Sequence, residues 1–150
     1  MNLASSLTVF ASVVLTLSCC AACTSNTDVV EEVESPDHNL VAILEESSGD
    51  ATTSYLYRVL IKDRRNPDPK ETLVASVYGA TRSQSSYGLD LTWLSSKALL
   101  IQYWKAQRVQ LFVKQTKIGG IDVEVSLKSG VLNTQAPSGS MEYARLHKQR

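Results

Sequence analysis

Ile121-Asp122-Val123-Glu124-Val125-Ser126-Leu127-Lys128 alternates apolar and polar residues at every step. Period two over such a run means a strand with one face on a core and the other in water. The run before it, Gln107 to Gln115, sets Val109, Leu111 and Val113 against Arg108, Gln110, Phe112 and Lys114. Gly119-Gly120 lies between the two and supplies turn or bulge flexibility. The pair reads as a hairpin turning near Ile118, with Lys114 opposite Asp122 and Phe112 opposite Glu124 on the outer face. Val109, Leu111 and Val113 then share the inner face with Ile121, Val123 and Val125. A one-residue slip would put an apolar row in water, so the pattern specifies register.

The same period extends upstream. Tyr55, Tyr57, Val59 and Ile61 alternate with Ser54, Leu56, Arg58, Leu60 and Lys62. Leu40 to Leu44 is a short apolar run ending at the turn cluster Ser47-Ser48-Gly49-Asp50, which makes it a strand partner for Tyr55–Lys62. Lys62 to Lys70 carries Pro67 and Pro69 and must be a loop. Leu73 to Tyr78 is a further strand, and Gly79 to Gly88 is a polar, Ser-rich connection. Leu89, Leu91 and Trp93 alternate with Asp90 and Thr92, Ser95-Ser96-Lys97 turns the chain, and Ala98 to Trp104 returns. The expected fold is all-β: antiparallel sheets, as a small two-sheet sandwich or one curled sheet of about six or seven strands.

The chain has 150 residues, enough for one domain, with 15 basic and 15 acidic residues and a net charge of zero. That balance argues against nucleic-acid binding. It hides an asymmetry: residues 24–50 hold eight acidic residues and no basic one, and residues 51–150 hold 15 basic against seven acidic. The acidic stretch 23–36 reads as a solvated tether. A sharper alternative is that it folds onto the basic domain, or that the basic face meets anionic lipid.

No charged side chain precedes Asp28, and Leu7 to Leu17 is nearly all apolar. An apolar run of this length, followed by small residues, is the pattern of a secretory signal and is short for a membrane span. All three cysteines fall at positions 19, 20 and 23. Leu17-Ser18-Cys19-Cys20 and Cys20-Ala21-Ala22-Cys23 each resemble the lipobox of bacterial lipoproteins, in which signal peptidase cuts before a lipidated cysteine. The resemblance implies thioether attachment of diacylglycerol at Cys20 or Cys23, with Cys20 slightly favoured. The competing reading is an ordinary secretory signal cut near Ala22. The residue after either cysteine is not Asp, which in Gram-negative lipoproteins implies the periplasmic side of the outer membrane. The mature domain would then lack any disulfide, cysteine-ligated zinc or cysteine nucleophile.

Ser35-Pro36-Asp37 before one strand pair, and Trp93-Leu94-Ser95-Ser96-Lys97 in another, resemble the strand–turn–strand blades of TolB-type β-propellers, though two units cannot close a ring. Residues 35–128 are also similar to a family of small bacterial envelope proteins without an assigned activity; Ser48 stands here where that family has a cysteine.

Catalytic signals are sparse. Ser35, Asp37 and His38 are neighbours in one turn, which prevents the base from bridging nucleophile and acid. Glu45 and Glu46 would point to opposite faces of a strand. No calcium-loop spacing or phosphate-binding glycine loop occurs, so no metal or cofactor is expected. Trp104, Phe112 and Tyr103 are the candidates for a binding surface opposite the core, against the alternative that aromatics fill the core. The chain divides into a signal peptide at 1–22, the tether at 23–36, a β domain at 37–128 and a tail at 129–150. Residues 131–138 read as unstructured, and a short helix could form on Met141, Ala144 and Leu146. The expected function is a lipid-anchored envelope protein acting as a non-enzymatic binding or accessory module for another envelope protein. The alternatives are a small-ligand carrier and an enzyme acting on envelope polymers.

Overall fold

The computed structural model describes residues 26–48, 53–81, 88–133 and Met141. Cys20, Cys23 and the signal segment lie outside the described residues, as do 134–138 and the expected C-terminal helix apart from Met141. Among the described residues there are nine strands: β1 (Asn26–Glu34), β2 (Leu40–Ser48), β3 (Leu56–Asp63), β4 (Thr72–Tyr78), β5 (Asp90–Ser95), β6 (Ala98–Gln102), β7 (Arg108–Phe112), β8 (Gln115–Ile118) and β9 (Ile121–Lys128). They form an all-β pair of sheets, β1-β2-β3-β4-β7 and β5-β6-β9-β8.

Alternation decides the inner faces. Leu40, Ala42 and Leu44 of β2, and Tyr57, Val59 and Ile61 of β3, meet Leu99 and Ile101 of β6 and Val123 and Val125 of β9 in one buried cluster. Fully burying side chains of this size stabilises by roughly 1.5–3 kcal/mol each. Strand β2 is apolar on both faces. Its outward Val41 and Ile43 join Leu60 and the half-buried Leu73 in a second small cluster.

The stretch expected to be a tether is instead β1, paired with β2 from Asn26↔Ser48 to Glu34↔Val41. Two interactions outweigh its solvation. Val30 sits in a bulge that turns it inward, 6 % exposed, and Val33 packs on the core. On the outer face Lys62 reaches over β2 to Glu32 at 3.3 Å, and Arg64 pairs with Glu34. The acidic segment therefore folds onto the basic domain, and the aliphatic stems of its partners flank the outer cluster.

The expected hairpin over 107–128 does not form as read. Strand β7 pairs with β4, through Ala75↔Phe112 and Tyr78↔Arg108, and of the two strands in this run β8 alone pairs with β9. Between them Val113 N–H donates to Val74 O, and Lys114 O accepts from Val125 N–H, so one extended run passes from the first sheet to the second. Gly119 and Gly120, at φ 54° and 84°, make a two-residue turn that needs positive φ at both positions. This sets Ile118↔Ile121 and Lys117↔Asp122 as partners, with Gln115 rather than Phe112 opposite Glu124. A turn centred on Ile118 would have forced a β-branched residue toward that region. A bulge at β7, where Ser76↔Leu111 is followed by Val77↔Val109, also breaks the alternation. Phe112 consequently packs on the core, whereas Leu111 is 37 % exposed.

Strand β9 inserts beside β6 in parallel, with Leu99↔Val125, an exception to the antiparallel expectation. The excursion through β7 and β8 supplies the long crossover that parallel neighbours need. Of the expected tail, residues 129–133 and Met141 are described. Gly130 and Val131 N–H groups donate to Trp104 O and Tyr103 O, and Met141 is 1 % exposed.

On β9 the face assignment is as the alternation indicates: Val123 is 1 % exposed and Glu124 is exposed. Val123→Asp buries an unpaired charge and should cost more than about 3 kcal/mol, whereas Glu124→Lys should stay within about 0.5 kcal/mol. Thermal melts of the two variants check this; a greater loss for Glu124→Lys would invert the face.

Candidate functional site

The strands run so that one end of the sandwich, here the lower end, gathers the start of β1, the end of β2, the start of β3, the end of β4 and the start of β7. The ends of β6 and β9 and the start of β5 arrive there too, with Asp90↔Gln102 and Gln102↔Lys128 as partners. Backbone bonds tie the connections together: Gly79 N–H to Tyr55 O, Thr81 N–H to Lys105 O, and Gln107 N–H to Tyr78 O. The Gln107 side-chain amide also donates to Ser54 Oγ at 2.7 Å.

Two cations lie over aromatic rings at this end. Lys105 Nζ is 5.4 Å from the Trp104 ring centroid, and the Arg108 guanidinium is 5.9 Å from that of Tyr78. Such stacking holds the cation while the ring shields its stem. Beside them Thr53, Ser54, Tyr55, Gly79, Ala80 and Thr81 line a groove of about 390 Å³. Of the three residues expected to share a binding surface, Trp104 and Tyr103 are neighbours here, both half-buried. Phe112 is not with them, because the β7 bulge turns it inward. The sequence contained Lys105 and Arg108, but nothing in a period-two pattern reveals which ring a cation will reach.

A buried carboxylate lies just above. Glu45 and Glu46 do point to opposite faces: Glu45 pairs with Arg58 outside at 3.1 Å, and Glu46 is 3 % exposed within the core. Tyr57 Oη donates to Glu46 Oε2 at 2.8 Å, and Met141 N–H donates to the same oxygen at 3.2 Å. Gly88 makes room for this phenol: a Cβ there would sit 2.5 Å from the Tyr57 ring. The arrangement anchors the tail to the core rather than presenting a nucleophile or a base.

A second groove, about 400 Å³, opens between the β1 and β5 edges, lined by Glu31, Asp90, Thr92, Gln102, Leu132 and Asn133. Burial pushes the Asp90 carboxyl above its ordinary range, opposed by the Asn133 amide donating to it at 3.1 Å.

At the upper end the Ser35–His38 turn has no catalytic geometry. Ser35 Oγ donates to Asp37 Oδ1, and His38 Nδ1 contacts Glu34 rather than Asp37. These bonds, with Ser35 acting on Asp37 and His38 on Glu34, hold both carboxyls below their usual range. His38 takes φ 57°, the conformation a turn glycine would adopt. Arg65 grips Asp63 with two bonds of 2.9 Å and also donates to Gly119 O, tying the β3–β4 loop to the β8–β9 turn. Among the described residues no group of three or more His, Cys, Asp or Glu is placed to share a metal ion. No family model, curated protein or solved structure matches this chain.

Two variants check these sites. Tyr57→Phe removes a donor from a buried carboxylate and should cost about 1–3 kcal/mol in denaturant unfolding; an unchanged midpoint would show that the bond does not matter. The raised Asp90 carboxyl favours the protonated fold, so its contribution is present below the ordinary value of 3.8 and is lost as pH rises through the raised value. Asp90→Asn should therefore melt higher than the parent at neutral pH, with the gap closing in acid. A gap independent of pH would contradict the burial argument.

Proposed function

We propose that this is a lipid-anchored protein of the cell envelope, held through Cys20 or Cys23, whose β domain acts as a non-enzymatic binding module. The observation that carries the reading is the confinement of every cysteine to positions 19–23, at the end of an apolar run and ahead of a β domain whose first strand starts at Asn26. Diacyl attachment with a further N-acyl chain exceeds the two-signal minimum for lasting membrane binding. The lipobox resemblance supports the periplasmic side of the outer membrane in a Gram-negative cell.

An exposed sheet edge supports recognition of another envelope protein. Edge strand β1 is lined by Asp28, Glu31, Glu32 and Glu34, charges that discourage strand addition. Edge strand β7 instead exposes Val109 and Leu111, at 38 % and 37 %. An extended peptide pairing there would gain main-chain bonds and apolar contact. The Asp90 groove supports the alternative of a small polar ligand, since a half-buried carboxyl facing an amide can orient one.

Cys20→Ser with Cys23→Ser should abolish incorporation of labelled fatty acid and move the protein out of the membrane fraction. Unchanged partitioning of the double variant would sink the anchor reading.

A further inference from the structure

We infer that the lower end of the sandwich is a membrane-seating surface, with Trp104, Lys105 and Arg108 resting against the headgroups of an anionic phospholipid bilayer. The inference rests on the lipid-anchor reading and adds to it the face that the domain turns to the membrane.

Chain length is the first argument. Strand β1 begins at Asn26, at the lower end, where Asn26 pairs with Ser48. Because the expected tether is a paired strand, almost no spacer remains. At 3.3–3.6 Å per extended residue, Asn26 can lie no more than about 10 Å from Cys23, or about 20 Å from Cys20. Screening in physiological salt acts over about 8 Å, so the start of β1 is confined to within roughly one screening length of an anchor at Cys23, or two to three of one at Cys20.

Side-chain chemistry is the second. Trp and Tyr carry an apolar ring with a polar edge and concentrate where hydrocarbon meets water. Trp104 and Tyr78 are half-buried at this end, and Tyr103 packs against the core behind them. Exposed Lys105 and Arg108 lie over two of these rings, and exposed Lys128 ends β9 nearby. Among the described residues the carboxylates at this end are Asp28, Glu31, Glu46 and Asp90; Glu46 is buried and the other three are half-buried. The fully exposed charged side chains described here, Lys105, Arg108 and Lys128, are all positive.

The upper end differs. Four of its cations meet carboxylates: Lys62 with Glu32, Arg64 with Glu34, Arg65 with Asp63 and Lys117 with Asp122. A lipid surface attracts juxtamembrane basic residues by about 1 kcal/mol each, roughly a five-fold effect on partitioning per charge.

The test uses the full lipidated protein in vesicles of phosphatidylcholine with phosphatidylglycerol, brominated on the acyl chains near the interface. Fluorescence quenching is compared between the parent and Trp104→Phe, and the difference reports Trp104. Trp93, whose indole N–H donates to Val33 O inside the fold, serves as the control for folding. The expected result is quenching of Trp104 that falls when phosphatidylglycerol is omitted. It should fall by about half or more in Lys105→Glu with Arg108→Glu, while that variant still floats with the vesicles. Flotation without any quenching of Trp104 would overturn the seating and leave the anchor standing. Failure of the parent to float or to carry labelled fatty acid would overturn the anchor reading, and the seating with it.

Discussion

Strand β2 is the constraint on which the structure depends. Leu40-Val41-Ala42-Ile43-Leu44 has no polar face, so it can be stable only in the middle of a sheet with both surfaces covered. The inward set is met by the second sheet. Among the described residues the outward Val41 and Ile43 pack with Leu60 and Leu73, and the Lys62–Glu32 and Arg58–Glu45 ion pairs lie on the same face. That demand recruits β1. An acidic segment with too little apolar surface to fold alone becomes an edge strand because β2 offers it a ladder and β3 offers it cations.

Recruitment of β1 has a consequence for function. If residues 24–36 were a solvated spacer, the domain would drift far from any anchor, and its orientation would carry little meaning. As a paired strand the segment delivers the chain to one end of the sandwich, the end that holds Trp104, Lys105 and Arg108. Glu32 and Glu34 are also consumed locally, as partners of Lys62 and Arg64 near the other end.

The β7–β8 run shows how a local pattern can be right about strands and wrong about partners. Val109, Leu111 and Val113 at alternate positions do indicate extended chain. Alternation alone cannot say that the run divides between two sheets. Nor does it mark the Gln110 bulge, because a bulge is stabilised by its neighbour on β4 and by no residue type of its own. The exposed Leu111 and inward Phe112 follow from that single extra residue. The Gly119-Gly120 turn, by contrast, could be read locally, since two successive positive φ values need glycine or a close substitute.

Sequence by itself determined the all-β class, the opposed directions of Glu45 and Glu46, the turn role of His38, and the concentration of cysteines ahead of the domain. Each rests on short-range physics: a two-residue period, local turn chemistry, or a count. Tertiary structure alone decided that β1 joins a sheet, that β6 and β9 run parallel, that Glu46 receives Tyr57 and Met141, and that Lys105 and Arg108 meet rings rather than acids. Apart from Lys105 on the neighbouring Trp104, these pairings join residues far apart in the chain. Their stability comes from surfaces that exist only once the two sheets have packed, and a one-dimensional pattern carries no record of them.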